Sequence, residues 1–145
     1  MVKLLIKKLN PKVILPEYKT KGSSGMDLVA NLKKNIFIKP GKTEIVSTGI
    51  AVSIPVNYEI QIRPRSGLAA KNNITVLNTP GTIDADYRGE IKVILINLGS
   101  SNFEIKPNDR IAQMVLSPIV KAEFEEVEKL PNTDRGKGGF GSTGR

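Results

Sequence analysis

The sequence predicts an all-β protein, an antiparallel sandwich or barrel with one short helix. Short runs rich in β-branched residues recur along the chain, and prolines and glycines separate them. This alternation of apolar runs and turn residues is typical of antiparallel sheets. With 145 residues the chain suits one domain with a single core, because a chain of this length buries roughly two thirds of the surface that its unfolded form exposes.

Eight runs are predicted as strands, each followed by turn residues as a β-meander requires. They cover residues 2–6, 36–38, 44–47, 50–54, 59–62, 91–98, 103–105 and 111–119. One helix is predicted over residues 66–71. Ser66 is its predicted N-cap, because a serine side chain can accept a hydrogen bond from a free N–H group at the helix start.

The predicted strand at residues 91–98 is apolar on both faces. Ile94 and Ile96 alternate with apolar residues at 91, 93 and 95. A strand of this kind has to be covered twice. A small sandwich offers few internal places for the second covering, so the pattern indicates contact between copies of the chain.

Missing residue types narrow the chemistry. The chain has no cysteine and no histidine, which excludes thiol nucleophiles, Ser-His-Asp triads, disulfides and zinc sites with those ligands. A general base therefore has to be a carboxylate, a lysine, a tyrosine or a serine. The net charge of +8 favours an anionic partner such as a nucleotide, a nucleic acid or an acidic membrane, and does not choose among them.

Cellular location and organisation follow from the apolar runs and from local composition. No run approaches the length of a membrane span, and the first ten residues lack the apolar stretch and cleavage site of a secretory signal. We expect a cytoplasmic protein without a membrane partner. The composition changes only near residue 130, so we expect a body at residues 1–130 and a flexible arm at 131–145 that belongs to the same functional unit.

A candidate phosphate site lies at residues 63–69 (RPRSGLA), where a strand is predicted to end and a helix to begin. Free N–H groups at a helix start favour an anion, and an arginine fork binds phosphate bidentately. Arg65, Ser66 and Gly67 are therefore candidate phosphate-binding residues. The alternative is that Ser66 only caps the helix and Arg65 is solvated.

A second candidate site lies at residues 77–90. Asn78 can pair with a base edge, Gly81 allows a close approach of the main chain, and Asp84 is a candidate base near Tyr87, whose ring can lie against a sugar. The alternative is a hairpin turn rich in Asn, Asp and Gly. That alternative accounts for the glycines but not for the crowding of Asp84 and Tyr87.

Two short stretches and the tail complete the set of candidates. Asp27 follows a Gly-Met pair, and residues 109–113 open a strand with a charge pair and a glutamine. Alone, each is an ordinary turn or surface pair. The glycine-rich tail at residues 135–145 combines phosphate-binding residue types with one aromatic ring, Phe140. Its alternative is a disordered polar terminus.

Five blocks, in this order and at these spacings, resemble the all-β trimeric dUTPases (deoxyuridine 5′-triphosphate nucleotidohydrolases). The blocks are residues 24–30 (SGMDLVA), 64–69 (PRSGLA), 81–90 (GTIDADYRGE), 110–114 (RIAQM) and 135–144 (RGKGGFGSTG). They span nearly the whole chain, and the glycine-rich last block makes the set specific. The departures from the family pattern are slight. Ser24 stands where alanine is frequent, and Asn73 stands where glycine is frequent. Asparagine tolerates the left-handed conformation that glycine would supply at position 73.

The resemblance implies a jelly-roll-like distorted barrel and a homotrimer whose three active sites are each assembled from all three chains. It implies hydrolysis of dUTP to dUMP and pyrophosphate by attack of water on the α-phosphate, which keeps uracil out of DNA and supplies dUMP for thymidylate synthesis. The sequence has no dense cluster of carboxylates. We therefore expect Mg²⁺ to arrive on the substrate phosphates with most of its waters, and no side chain to bind it directly.

The resemblance also implies the catalytic roles. Asp84 would activate the water, and Gln113 would help to place the water and the α-phosphate. Asp27 and Arg110 would support the site without a direct chemical role.

Substrate binding is implied for a larger set. These residues are Arg65, Ser66, Gly67, Asn78, Gly81, Thr82, Ile83, Asp84, Tyr87, Lys92, Arg135, Phe140, Gly141, Ser142 and Thr143. Tyr87 would pack on the deoxyribose, Phe140 would stack on uracil, and Arg135 would reach the γ-phosphate. The arm would act as a lid that orders over the nucleotide of a neighbouring subunit.

Two alternatives remain at this point. The dCTP deaminases share the fold, but the complete tail at residues 135–144 and the pairing of Asp84 with Tyr87 fit the hydrolase better. A catalytically silent β-trimer could bind nucleic acid through its charge. The few aromatic residues are scattered and form no stacking platform, so we expect no stable nucleic-acid complex.

Overall fold

The computed structural model describes residues 2–139 and 141. In this part of the chain, ten strands and one short helix follow one another along the sequence. They are β1 Leu5–Lys8, β2 Met26–Val29, β3 Ile36–Ile38, β4 Thr43–Ser53, β5 Tyr58–Arg63, α1 Ser66–Asn72, β6 Ile74–Val76, β7 Gly81–Ile83, β8 Glu90–Asn97, β9 Phe103–Ile105 and β10 Arg110–Pro118. The prediction of an all-β protein with one short helix is confirmed.

Two four-stranded sheets form a jelly-roll-like sandwich. The first has the order β1-β4-β8-β6 and the second has the order β2-β10-β5-β7. Strands β3 and β9 form a separate two-stranded sheet. Every pairing is antiparallel. We expected a jelly-roll-like distorted barrel. Among the described strands, both large sheets are open, and they form layers that do not close into a barrel.

All three sheets contribute to one hydrophobic core. The first sheet supplies Ile91 and Leu95, the second supplies Leu28 and Ile60, and the small sheet supplies Ile105, each at most 1% exposed. Side chains of a strand alternate between its two faces, so the buried residues of each strand point into this shared core. The core holds the sheets in the fixed relation that positions the loops at their ends.

The outer face of the first sheet is apolar as well. Ile94 and Ile96 of β8 are half-buried rather than covered. Ile45, which is 64% exposed, pairs directly with Ile94 across β4 and β8, and paired residues lie on the same face of a sheet. The second apolar face predicted for this strand therefore exists, and a single chain leaves much of it in contact with water.

Strand β4 runs continuously where the sequence predicted two strands. The register with β8 shifts between Ser47 and Ala51, and Gly49 between them has φ of +72°. Glycine reaches this conformation without steric cost, so the strand bulges at Gly49 and continues instead of ending.

Three short strands were absent from the prediction. Strands β2, β6 and β7 have three or four residues each, too few for a clear pattern. Each is defined by pairing to a longer strand, with β2 on β10, β6 on β8 and β7 on β5. Their existence depends on tertiary contacts and not on local sequence.

The helix begins at the predicted residue, but its N-cap differs from the prediction. Its N-cap is Arg65, and no side chain caps it, so the prediction of Ser66 as N-cap is wrong. Ser66 is instead the first helical residue, with an exposed side chain. The helix ends at Asn72, and its C-cap, Asn73, adopts the left-handed conformation with φ of 55°, as expected for an asparagine in a glycine-like position. Within residues 2–139 and 141, no helix is long and apolar enough to span a membrane.

The last strand ends at Pro118. From there to residue 139, and at Gly141, the described chain forms no helix or strand. Several large apolar side chains of this segment are exposed, among them Val120 at 98%, Phe124 at 95% and Leu130 at 76%. The segment therefore carries apolar surface that its own subunit does not cover.

We predict that Gly49→Ala destabilises the fold by roughly 2 to 4 kcal/mol, the sum of left-handed strain and overpacking. A Cβ atom at Gly49 would lie 2.5 Å from Val13 Cγ2 and 2.6 Å from Asn31 Nδ2. Gly41→Ala is the matched control, because Gly41 has φ of +71° and nothing within 4 Å of its added Cβ. Urea unfolding measures both; equal losses would contradict tight packing at Gly49.

Candidate active site

A nearly buried carboxylate holds together the first group of site residues. The register pairs Asp27 of β2 directly with Gln113 of β10. The Asp27 side chain is only 9% exposed, and its Oδ1 accepts a hydrogen bond from Arg65 Nε at 3.1 Å. Its Oδ2 accepts from Arg110 Nη1 at 3.3 Å, and Gln113 Nε2 makes a longer contact of 3.5 Å with Oδ1. One carboxylate thus orients two guanidinium groups and one amide.

Arg65 stands where β5 and α1 join. Besides its bond to Asp27, its Nη1 donates to the main-chain oxygen of Arg110 at 3.3 Å. Ser66 and Gly67 follow in the exposed first turn of α1, and an added Cβ at Gly67 would meet nothing within 4 Å. The backbone there is open to a ligand.

We call the six residues around this carboxylate the arginine cluster. They are Asp27, Arg65, Ser66, Gly67, Arg110 and Gln113. A cavity of about 270 Å³ beside them is lined in part by Arg65, Asp109 and Arg110. Charge-assisted hydrogen bonds from arginine to phosphate oxygens are strong and directional, so the cluster is suited to a phosphate group.

A second cavity, of about 390 Å³, lies against the turn that follows β7. We call it the hairpin cavity, and its lining residues are Ile45, Thr82, Ile83, Asp84, Tyr87, Glu90, Lys92 and Ile94. Asp84 is exposed there. An accessible carboxylate beside a pocket can take a proton from a bound water.

Tyr87 is held by one hydrogen bond from its ring hydroxyl and one from its backbone. Its hydroxyl donates to the main-chain oxygen of Glu90 at 3.0 Å, and its backbone N–H donates to the main-chain oxygen of Asp84 at 3.1 Å. The side chain of Glu90 in turn accepts from the Gly49 N–H at 2.8 Å and pairs with Lys92 Nζ at 3.8 Å. The β4 bulge is thereby tied to the turn that carries the candidate base.

Asn78 lies close to the main chain at Gly81. A Cβ added to Gly81 would be 3.2 Å from Asn78 Nδ2 and 3.3 Å from Ile62 Cβ, closer than most Cβ contacts. Glycine at position 81 therefore makes room for the Asn78 side chain beside β7. The close approach of the main chain to a ligand at Gly81 stays a prediction.

The predicted residues form two groups within one chain. No residue lines both the hairpin cavity and the cavity beside Arg65. Among residues 2–139 and 141, no hydrogen bond or ion pair of the Asp84 side chain reaches the arginine cluster. Asp84, Thr82, Ile83, Tyr87 and Lys92 thus stand together, apart from the residues that surround Asp27.

The described part of the arm forms a local turn. Arg135 Nε donates to the main-chain oxygen of Gly138 at 2.9 Å, and the Gly136 N–H donates to that of Thr133 at 3.0 Å. Gly141 is exposed. The predicted substrate-binding residues Phe140, Ser142 and Thr143 lie outside the described residues.

Among the described residues, no three acidic side chains come together in a group that could hold a metal ion. Asp27, the least exposed carboxylate of the site, is already committed to two guanidinium groups.

Sequence reasoning gave no role to two residues at the hairpin cavity. Glu90 links Gly49, Lys92 and the Tyr87 turn, and Ile45 lines the cavity from β4. Glu90 falls inside a recognised block, so its position was a usable signal. Ile45 is far away in the sequence and reaches the cavity only through its pairing with Ile94.

The fold and the two groups define a jelly-roll-like β-protein whose cavities suit a phosphorylated ligand. The family model for dUTPase matches residues 11–144, and the chain belongs to the dUTPase family. The deoxyuridine 5′-triphosphate nucleotidohydrolase of Nautilia profundicola is 58% identical over 144 residues, covering 99% of this chain and 100% of its own length.

Solved structures agree with the fold. The dUTPase of Staphylococcus bacteriophage 80alpha, solved as a mutant with dUpNHpp, has a TM-score of 0.89 at 26% identity over 99% of each chain. A mutant dUTPase from phage phi11 of S. aureus, described for the coordination of a structural Mg(II) ion, has a TM-score of 0.81. It is 23% identical, covers 90% of this chain and 99% of its own, and shows the shared fold alone.

We predict that Asp27→Asn lowers the free energy of unfolding by roughly 1 to 3 kcal/mol, because it leaves two guanidinium groups without their compensating charge. Glu17→Gln is the control, since Glu17 forms an exposed ion pair with Lys19 and exposed pairs contribute about 0 to 1 kcal/mol. Urea unfolding compares the two variants. If Asp27→Asn lowered the free energy of unfolding no more than Glu17→Gln does, the stabilising role of Asp27 between the two arginines would be contradicted.

Proposed function

We propose that this protein hydrolyses dUTP to dUMP and pyrophosphate. The observation that carries the proposal is the hairpin cavity, where a chain of the dUTPase family places the Asp84 carboxylate beside the fixed ring of Tyr87. The relative from Nautilia profundicola bears the name of this activity. Family membership also favours the hydrolase over the deaminase alternative.

The chemical step uses Asp84 as general base. A water oxygen bonds to the α-phosphorus while its proton passes to the Asp84 carboxylate, and the bond from the α-phosphorus to the bridging oxygen breaks. Pyrophosphate leaves with that oxygen. Phosphoryl chemistry of this kind asks the protein mainly for positioning and charge neutralisation, which agrees with a chain that has no histidine.

The hairpin cavity would hold the nucleoside. Asn78 and the main chain at Gly81, Thr82 and Ile83 would pair with uracil. The Tyr87 ring would pack on the deoxyribose, where it leaves no space for a 2′-hydroxyl. The hydroxyl hydrogen bond restrains the ring, and a restrained ring discriminates by shape better than a mobile one because less entropy is lost on binding.

The arginine cluster would hold the phosphates. Arg65 uses Nε and Nη1 for Asp27 and the Arg110 carbonyl, so the remaining N–H groups of its fork stay available to a ligand. Ser66 and Gly67 would add a hydroxyl and open backbone N–H groups, and Gln113 would help to place the α-phosphate. Asp27 and Arg110 support this arrangement and do not touch substrate. Lys92 would contribute charge from the hairpin cavity.

We infer that each active site combines the hairpin cavity of one chain with the arginine cluster of another. Asp84 and Arg65 must both reach one triphosphate, yet they belong to separate groups within a chain. The apolar outer face at Ile45 and Ile94 needs a cover, since contiguous exposed apolar surface marks contact sites. Head-to-tail contacts form a ring when the rotation between neighbouring chains closes, and the family resemblance implies a ring of three chains.

The C-terminal arm would complete the site. We infer a body at residues 1–130 and a flexible lid at 131–145, in which Arg135, Ser142 and Thr143 reach the γ-phosphate and Phe140 stacks on uracil next to Gly141. Support comes from the composition of the arm and from the exposed apolar side chains that precede it. Such a lid would exclude water from the reaction.

Mg²⁺ would accompany the substrate. Bound to the triphosphate, it would neutralise charge that develops on the leaving pyrophosphate. Support for this mode of entry comes from Asp27, whose carboxylate pairs with two arginines, since Mg²⁺ usually keeps several waters and binds substrate phosphates. In the cell, the reaction would keep uracil out of DNA and supply dUMP in the cytoplasm, with no stable nucleic-acid or membrane partner.

We predict that Asp84→Asn lowers kcat for dUTP by roughly two to four orders of magnitude, because the amide cannot accept the proton of water. Binding of dUpNHpp should persist. Asp86→Asn is the control, since Asp86 is an exposed carboxylate of the same turn that does not line the hairpin cavity. Activity is measured as pyrophosphate release with dUTP, UTP, dCTP and dTTP. Near-normal hydrolysis of dUTP by the Asp84→Asn variant would show that Asp84 is not the general base.

A further inference from the structure

A third cavity, of about 560 Å³, opens where the loops after β1, after β2 and before β10 meet. It is lined by Asn10, Lys12, Asn31, Leu32, Lys33 and Asn108. None of these residues lines the hairpin cavity or the cavity beside Arg65. The volume falls in the range of ligand-binding clefts, roughly 300 to 1,000 Å³.

We propose that this cavity, called the asparagine cleft below, binds an oligophosphate anion such as pyrophosphate or tripolyphosphate. The site is separate from the proposed dUTP site, and its existence does not depend on that proposal. It is specified by uncompensated charge, by the orientation of two amides and by the lack of an aromatic surface.

The charge of the asparagine cleft is positive and unpaired. Lys12 and Lys33 supply two ammonium groups, and none of the six lining residues is acidic. Of the ion pairs that the described residues form, none involves Lys12 or Lys33. An anion that enters the cleft therefore meets charge that no carboxylate already neutralises.

The amides present donors to the cleft. Asn10 Nδ2 donates to Asn31 Oδ1 at 3.3 Å, and Asn10 Oδ1 accepts the backbone N–H of Lys12 at 3.1 Å. Both amide oxygens are thus engaged by the protein, while the Asn31 NH₂ group donates no hydrogen bond to a described residue. The remaining N–H groups of Asn10 and Asn31 are donors that phosphate oxygens can accept.

Packing keeps these donors in place. A Cβ at Gly49 would lie 2.6 Å from Asn31 Nδ2 and 2.9 Å from Asn31 Cγ, so the Asn31 side chain rests directly on the β4 bulge. The Asn108 N–H donates to the Ala30 oxygen at 2.8 Å, and the Ala30 N–H donates to the Asp109 oxygen at 2.8 Å. These bonds join two walls of the cleft, and a preformed site loses less entropy on binding.

The lining also excludes a nucleoside as the recognised part of the ligand. Leu32 is its one apolar residue, and none of the six is aromatic. Bases bind to proteins largely by stacking on aromatic or guanidinium planes. Recognition here would come from charge and amide donors alone, which matches a chain of phosphates.

Calorimetry with inorganic tripolyphosphate tests the proposal on the full-length protein at fixed ionic strength, with dUpNHpp present to fill the proposed nucleotide site. We expect one tripolyphosphate per chain. The variant Lys12→Gln/Lys33→Gln should weaken its affinity about tenfold or more, the loss expected for two charge-assisted contacts. Lys39→Gln/Lys42→Gln removes the same charge at two exposed lysines outside the cleft, and should change the affinity by about twofold at most.

Asn108→Gly tests the third amide that lines the cleft, with little disturbance of the fold. Asn108 has φ of 67°, which glycine adopts freely, so the variant removes only the side chain. We expect about threefold to tenfold weaker binding of tripolyphosphate, the loss of one hydrogen bond to a charged group, and unchanged unfolding in urea. Equal weakening by the two lysine double variants, no effect of Asn108→Gly, or no binding to the unaltered protein would overturn the proposal. The two lysine double variants should differ in their affinity for tripolyphosphate whether or not dUpNHpp binds.

Discussion

The separation of Asp84 from Arg65 and Gln113 is the constraint on which the account of this molecule depends. A base and the groups that hold the phosphates must meet at one phosphorus within a few ångströms. In one chain they line different cavities. The last residue of β7, Ile83, pairs with Ile60 near the start of β5, whereas Gln113 pairs with Arg63 at the end of β5, two residues before Arg65. In the proposed active site, a second subunit brings these two groups of residues together.

Different contacts hold the arginine cluster and the hairpin cavity in place. The arginine cluster is held by one carboxylate that is 9% exposed and engages two guanidinium groups. The hairpin cavity is held by Glu90, which ties the Gly49 bulge to the turn of Tyr87. Gly49 also supports Asn31 in the asparagine cleft, so one left-handed glycine contributes to two distinct polar sites. Preorganisation of this kind lets binding energy act on the ligand instead of on ordering the protein.

The sequence was sufficient for the fold class and for local elements with strong patterns. Strands β3 and β9 have the predicted bounds, and α1 extends one residue beyond its prediction. Strands β2, β6 and β7 were missed because pairing with distant strands, and not local pattern, defines them. The division of the site residues was equally invisible, since motif spacing does not contain the register that joins Asp27 to Gln113. The roles of the individual residues rest on the family resemblance and stay predictions.

Complementation between two inactive variants tests the shared site most directly. Asp84→Asn removes the base from the hairpin cavity, and Arg65→Gln removes a phosphate contact from the arginine cluster. Chains of the two variants, unfolded and refolded together in equal amounts, should recover up to about one quarter of the unaltered activity, because random assembly pairs an intact cavity with an intact cluster in that share of sites. Separately refolded variants should stay inactive. No recovery in the mixture, although mixed oligomers form, would contradict a site built from two chains.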